Sequence, residues 1–315
     1  MILLIGAGSM AIDYTKVLTG LNVDFNVLCR TKKSAEKFEE QTGICCLTGG
    51  VDSLEPKDTS RFTHVIVAVN VDNLCEVTIS LLNKGFKNIL IEKPGAVNKI
   101  QLSNLNSIAT DMQATVLIGY NRRCYSSVEK AKEIILEDGG VNSFNFEITE
   151  WGHIISNIST LSTEVKDNWF IANTTHIVDL AFYLCGKPRV INVITAGCTE
   201  WHKRASTFAG CGDTENNAIF SYFGNWTGPG RLTLDIITKN HRLIFCPIEK
   251  LQIQKIGKID TSFVDCNDEL DIEFKPGLFK QVQNFILNDT DQFCLLSEQL
   301  AMIETYEIMA GYSSK

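Results

Sequence analysis

The chain opens with four apolar residues, Ile2-Leu3-Leu4-Ile5, and passes at once into Gly6-Ala7-Gly8-Ser9-Met10-Ala11. An unbroken apolar run this short reads as a strand buried on both faces, as in a parallel sheet. Ile12, Val17 and Leu18 then recur at helical spacing up to Gly20. Strand, Gly-x-Gly-x-x-Ala turn and helix in direct succession form the context that a dinucleotide-binding fingerprint requires. Gly6 permits the tight turn, Gly8 lets the backbone approach a pyrophosphate, and Ala11 is small enough for close helix–strand packing. The helix N-terminus offers unpaired N–H groups and a positive dipole end, so Ser9 and Met10 are expected beside the phosphates.

The next strand-like run, Val23 to Cys29, bears on which dinucleotide is preferred. A strand of this kind in an NAD-binding protein usually ends in Asp or Glu, which accepts from the ribose 2′-hydroxyl. Here it ends in Arg30-Thr31-Lys32-Lys33-Ser34, and Asp24 lies at the wrong end. Arg30 is suited to stacking on adenine and gripping a 2′-phosphate, with Thr31 and Lys32 or Lys33 assisting. Two charge-assisted bonds, at about 1.5–3 kcal/mol each, favour NADP(H) over NAD(H) by about two to four orders of magnitude. The simplest competing reading is a solvated basic loop that opens a helix over Ala35–Gln41.

The pattern repeats. His64–Val69 is another buried run, and Asn70-Val71-Asp72-Asn73 leads from it into a helix through Leu74, Val77, Leu81 and Leu82. Asn88-Ile89-Leu90-Ile91 is a further strand, stopped by Pro94 after Glu92 and Lys93. A helix over Ala96–Ala109 and a strand over Ala114–Gly119 follow. This alternation predicts an α/β fold: a doubly wound parallel (Rossmann) sheet over residues 1–119, the NAD(P)-binding domain. At 315 residues a second domain is expected, over residues 120–315, for substrate binding and oligomerisation.

After Gly119 the periodicity changes. A helix is expected over Ser126–Glu137, a half-exposed antiparallel strand over Phe144–Trp151, and loop over residues 152–168. Thr174 or Thr175 is expected to cap a helix that begins with His176 and carries Asp179 on the same face. Strand-like segments at Val190–Ala196, Asn217–Phe223, Arg231–Thr238, Arg242–Cys246 and Leu251–Ile256 predict one large, mainly antiparallel, open sheet. Helices over Gly277–Leu287 and Ser297–Met309 close the chain.

Composition excludes several function classes. A net charge of −8 argues against nucleic-acid binding, which needs a basic face. The 11 cysteines form no C-x-x-C pair, so reduced thiols and a cytoplasmic location are expected, with no structural metal. No apolar stretch reaches the length of a membrane span, and no basic leader points to a signal peptide.

Gly6-Ala7-Gly8-Ser9-Met10-Ala11, Glu92-Lys93-Pro94, Gly119-Tyr120-Asn121-Arg122-Arg123, and His176-Ile177-Val178-Asp179 followed by Gly186-Lys187-Pro188 occur in an order that resembles one family. It is the glucose–fructose oxidoreductase / inositol dehydrogenase / MocA (Gfo/Idh/MocA) oxidoreductases, and the resemblance covers essentially the whole chain. It implies hydride transfer between a nicotinamide cofactor and a sugar, a sugar derivative or a nucleotide-linked sugar. It places Val69, Asn70, Glu92, Lys93, Pro94 and Asn121 at the cofactor, and Lys93 and His176 at the substrate. Tyr120, Trp151, His153 and Trp169 are candidate pocket walls in their own right, because sugars stack on aromatic faces, and Asn168, Asn173 or Thr174 is suited to a substrate hydroxyl. Lys93, His176 and Asp179 are the catalytic candidates, and a cis Lys93–Pro94 peptide is implied. A homodimer or homotetramer through the C-terminal sheet is also implied.

The chain departs from the family in places. The family's Asp four residues before the His is Ala172 here, and the Gly-rich turn before it is absent. The family's Thr-Pro after the fourth strand is Val69-Asn70, and the His soon after is Leu74. The Asn-Thr-Thr-His segment resembles members associated with bacterial surface-glycan and acidic-sugar biosynthesis. A biliverdin-type reductase is a competing enzyme reading, and retention of Glu92-Lys93-Pro94 and His176 speaks against it. A non-enzymatic NADP-sensing protein, suggested by Ala172, would bind NADPH without turnover. His202-Lys203-Arg204 reads as a solvated basic loop.

Overall fold

The computed structural model describes residues 1–312, and the apolar runs are its buried strands. In the first unit these are β1 (Ile2–Ile5), β2 (Phe25–Leu28), β3 (Cys46–Leu47), β4 (His64–Val67), β5 (Asn88–Glu92) and β6 (Thr115–Gly119). All six run parallel in the order β6-β5-β4-β1-β2-β3. Strand order reverses at β1, so the crevice outside the carboxyl ends of β1 and β4 is the place where such sheets bind ligands.

The unit comprises Met1–Asn121 and, returning from much later in the chain, Leu270–Ala301. The alternation of strands and helices divides the chain at 119/120; the structure returns this later segment to the first unit. The physical reason is an apolar helix face. Leu278–Leu287 buries Leu278, Val282 and Phe285 in the core that also holds Tyr14, Val17 and Leu18 of helix Ser9–Gly20. Cys294–Leu295 then adds an antiparallel strand beside β6.

The second unit comprises Arg122–Glu269 and the segment from Met302. Its strands are β7 (Ser143–Glu147), β8 (Pro188–Ala196), β9 (Thr207–Thr214), β10 (Ile219–Asn225), β11 (Thr233–Ile237), β12 (His241–Phe245), β13 (Leu251–Lys255) and β14 (Ser262–Phe263). They form one sheet in the order β14-β13-β12-β11-β7-β10-β9-β8. β7 is antiparallel to β11 and, against expectation, parallel to β10. β9 escapes a reading by β-propensity because it contains Gly210 and Gly212. Both are required: a Cβ on Gly212 would lie 1.9 Å from the Val190 carbonyl oxygen, and one on Gly210 would lie 2.4 Å from the Tyr222 ring. Residues 152–168 are not all loop; they hold two short helices, Gly152–Ser156 and Thr163–Asp167.

One face of this sheet seats helix Thr175–Cys185. Phe144 stacks on Phe220 and Phe146 on Tyr222, each at 5.4 Å between centroids. Phe182 of the helix meets Phe144, Phe146 and Phe220 edge-on. Such pairs contribute about 0.5–1.5 kcal/mol each beyond area burial, which fixes the helix on the sheet. The other face exposes Val190, Ile194, Ile219 and Phe223. No helix among the described residues is long and apolar enough to cross a membrane.

Candidate active site

At the carboxyl end of β1, Gly6 has φ +126°. A Cβ there would lie 2.2 Å from the Ala68 carbonyl oxygen at the end of β4. Gly8, by contrast, is exposed, and a Cβ on it would meet nothing within 4 Å. No side chain caps the first turn of helix Ser9–Gly20, so Ser9 and Met10 present their backbone to an open ledge. Met10 Sδ lies 3.0 Å from Lys275 Nζ, which is also 3.4 Å from Asp13 Oδ2. Val69 is half-buried and Asn70 exposed just beyond β4.

The two glycines predict different outcomes. Gly6→Ala is expected to lower stability by more than about 1 kcal/mol, through positive φ and the clash with Ala68. Gly8→Ala is expected to leave the midpoint of thermal unfolding almost unchanged yet to weaken dinucleotide binding at least about tenfold, because its methyl group occupies ligand space. Parallel melting curves and nucleotide titrations check both.

Arg30 is exposed directly after β2, beside the Gly49-Gly50 turn whose Gly50 N–H donates to the Cys29 carbonyl. The helix here begins at Lys32, three residues before the expected Ala35. Thr31 is its cap: Oγ1 accepts from Ser34 N–H at 3.2 Å and bonds to Ser34 Oγ at 2.9 Å. Its hydroxyl is therefore engaged locally, and Arg30, Lys32 and Lys33 are the exposed cationic groups of this loop.

β5 ends in Glu92, which is buried, and Lys93, which is half-buried; the Lys93–Pro94 peptide is cis, as the family resemblance implies. Tyr14 Oη donates to Glu92 Oε1 at 2.7 Å. Burial raises the Glu92 carboxyl above its ordinary range, opposed by the Tyr14 hydrogen bond and by the charges of Lys93 and Lys275. Tyr120 is 1% exposed, and its hydroxyl pairs with the Gln299 amide at 3.0 Å. Asn121 Nδ2 donates to the Pro276 carbonyl at 2.8 Å, so it anchors the loop ahead of helix Leu278–Leu287.

In the second unit the His176 helix does not begin where the sequence suggests. Helical backbone runs in from Trp169 through a π-helical turn, Phe170–Thr174, closed by the Thr175 N–H bonding to the Phe170 carbonyl. Neither threonine caps a helix N-terminus. Thr174 Oγ1 donates to Glu150 Oε1 at 2.7 Å, and Thr175 Oγ1 donates to the Ile171 carbonyl. His176 is thus inside a helical path rather than at a free helix N-terminus. Asn173 Nδ2 donates to both Glu150 oxygens, at 3.0 and 2.8 Å. Ala172 is buried in the turn.

Asp179 lies in a buried two-point ion pair with Arg123: Nε donates to Oδ2 at 2.9 Å and Nη2 to Oδ1 at 2.5 Å. The Arg123 guanidinium also lies 4.6 Å from the Tyr183 ring centroid. This arrangement holds Arg123 against the helix that carries Asp179.

Neither a protein-family model nor a curated protein sequence matches the chain. Solved structures do. An oxidoreductase from Agrobacterium radiobacter, in complex with NAD+, L-tartaric acid and magnesium, matches with a TM-score of 0.80 at 13% identity, over 100% of this chain and 96% of that one. Levoglucosan dehydrogenase in complex with NADH matches with a TM-score of 0.78 at 16% identity, over 99% and 96%. UDP-N-acetylglucosamine 3-dehydrogenase GnnA from Acidithiobacillus ferrooxidans matches with a TM-score of 0.75 at 13% identity, over 98% and 96%. The chain shares the fold of these three structures.

The residues at the carboxyl edge of the first unit fit the dinucleotide that the glycine fingerprint leads one to expect. Gly8 leaves the space that a Cβ would fill, and the uncapped helix start faces the same ledge. Of the remaining candidates in the second unit, Trp151 is exposed; its Nε1 donates to the Gly230 carbonyl and its ring lies 4.7 Å from the Arg231 guanidinium. It borders an open cleft with His153, Ile154 and Pro229.

His202 is not part of a solvated loop. It is fully buried, with Nδ1 2.7 Å from the Ala205 carbonyl and Nε2 2.9 Å from Tyr312 Oη. Burial lowers its pKa, against the opposing Ala205 hydrogen bond. The sequence gives no sign of the buried polar cluster centred on Glu150. A Glu three residues beyond a strand carries no pattern of its own, and only the π-helical turn brings Asn173 and Thr174 to it.

Proposed function

We propose that the chain is an oxidoreductase that transfers a hydride between NADP(H) and a carbinol or carbonyl carbon of a sugar, a sugar derivative or a nucleotide-linked sugar. The observation that carries this is the edge of the first unit's sheet: the Gly6–Gly8 turn into an uncapped helix, with Lys93 at the end of β5 on the same carboxyl edge. The sugar-like substrate is supported by the fold shared with levoglucosan dehydrogenase and the UDP-N-acetylglucosamine 3-dehydrogenase. A place in bacterial surface-glycan synthesis accords with the Asn173-Thr174-Thr175-His176 segment.

The nicotinamide, when bound, supplies the hydride acceptor or donor. Gly6, Gly8, Ser9 and Met10 hold its diphosphate by backbone N–H groups and the helix dipole. Arg30 and Lys32 bind the 2′-phosphate; Val69, Asn70, Glu92 and Pro94 line the nucleotide. Transfer at a carbinol carbon requires a proton to move at its oxygen and the developing negative charge to be stabilised. Lys93 donates to that oxygen. His176 takes or returns the proton, and Asp179 acts through Arg123 to hold the helix that carries it. NADPH would drive the reducing direction.

Calorimetric titration with NADPH and NADH tests the cofactor assignment. NADPH is expected to bind about 100-fold or more tighter than NADH, and Arg30→Ala is expected to erase most of that difference. Equal binding of the two by the wild-type protein would remove the NADP preference. The exposed apolar sheet face with Val190, Ile194, Ile219 and Phe223 supports a homodimer or homotetramer through that sheet.

A further inference from the structure

Glu150 is a buried carboxylate whose donors are all neutral. It is 3% exposed, and its partners are the Asn173 amide and the Thr174 hydroxyl. No lysine, arginine or histidine pairs with it among the described residues. A carboxylate out of water without a cation is costly, and such a group persists where it is used. Its donors come from a π-helical turn, an insertion that recurs at functional sites.

The backbone under Glu150 is rigid. Gly152 N–H donates to the Glu150 carbonyl, and a Cβ on Gly152 would lie 2.3 Å from the Trp226 carbonyl oxygen. The carboxylate is therefore preorganised. An ionised carboxylate offers about four acceptor positions. Two donors approach Oε1 and one approaches Oε2, so Oε2 keeps an acceptor position. His176 follows Thr174 by two residues on the same helical path.

We propose that Glu150 is a specificity-determining residue: Oε2 accepts a hydrogen bond from a hydroxyl of a polyhydroxylated substrate that does not itself react. This deepens the oxidoreductase reading and rests on it. A neutral donor such as a hydroxyl suits the position, because the existing partners of this carboxylate are themselves hydroxyl and amide donors. The charge of Glu150, rather than its shape, is what strengthens the bond.

The test uses the full-length protein saturated with nicotinamide cofactor. Wild type and Glu150→Gln are titrated calorimetrically with free hexoses, inositols, levoglucosan and UDP-N-acetylglucosamine, and with the monodeoxy analogues of whichever binds. In wild type, removal of one hydroxyl is expected to weaken binding about 10- to 100-fold. In Glu150→Gln the same removal is expected to cost less than about threefold, with cofactor affinity unchanged. A merely structural Glu150 would leave the cost of the deletion the same in both proteins, and that result overturns the proposal. So does a wild-type, cofactor-bound protein that takes up no member of the panel, an outcome that leaves nucleotide binding intact. Absence of binding by any nicotinamide cofactor overturns the oxidoreductase reading and Glu150 with it. Should Glu150→Gln fail to fold, Glu150→Asp keeps the charge and shortens the reach; the cost of the deletion is then expected to fall as well, and an unchanged cost is decisive against the role.

Discussion

Lys93→Ala is expected to lower turnover by at least about two orders of magnitude while cofactor affinity stays within about tenfold of wild type. β5 sets the position of Lys93. Ile89, Leu90 and Ile91 are buried between β4 and β6, so the strand end cannot drift. Pro94, buried and joined to Lys93 by a cis peptide, removes the backbone donor that would extend the ladder. Lys93 is thereby presented, half-buried, on the carboxyl edge of the sheet. In that setting an ammonium group stabilises an oxygen that gains negative charge as the hydroxyl proton leaves or as hydride arrives at the carbonyl carbon, and removing one such donor typically costs 10²–10³ in rate. Glu92 is next to it but has its own partner in Tyr14, so its carboxyl does not take the place of a lysine donor. Lys93→Arg is expected to be slow as well, since a planar fork does not reproduce a compact point charge. Single-turnover rates with cofactor prebound separate this loss from any change in binding; turnover equal to wild type would take Lys93 out of the mechanism.

The parts of the fold legible in the sequence are those set by local pattern. Ile2–Ile5, Val65–Val67 and Ile89–Ile91 are apolar without interruption because both faces of their sheet are covered, and the glycine turn sits where strand meets helix. What was hidden depends on distant partners. β9 looks like a poor strand because its glycines answer to Val190 and Tyr222 on neighbouring strands. The basic look of His202-Lys203-Arg204 conceals a histidine enclosed by Trp226 and Tyr312. The same holds for the site. Gly6, Gly8 and Lys93 announce themselves by motif and by position at strand ends. Glu150 does not, because its meaning comes from a π-helical turn more than twenty positions away, and a π turn has no residue signature. Thr174 and Thr175 have the composition of a cap, yet the helix had already begun at Trp169, and their hydroxyls turned to Glu150 and to Ile171 instead.

Arg123→Met and Asp179→Asn are each expected to destabilise the protein by about 3–5 kcal/mol, because each removes one member of a buried ion pair and strands the other. The side chains are 4% and 3% exposed, and both bonds of the fork are made. Neither group has water to fall back on. The double replacement Arg123→Met/Asp179→Leu removes both charges and fills the space with apolar atoms, so most of the loss is expected to return in urea unfolding. The double variant also separates holding the helix from serving the reaction. Asp179 is one turn beyond His176, and Arg123 ties that turn down while stacking on Tyr183. Met and Leu can pack, but they impose no direction on the helix. The double variant is therefore expected to regain stability without regaining turnover, its kcat remaining at least about tenfold low at unchanged cofactor affinity. Recovery of both would make the pair a replaceable piece of core. Single variants within about 1 kcal/mol of wild type would mean that water reaches the pair, and the buried fork would lose its role in placing His176.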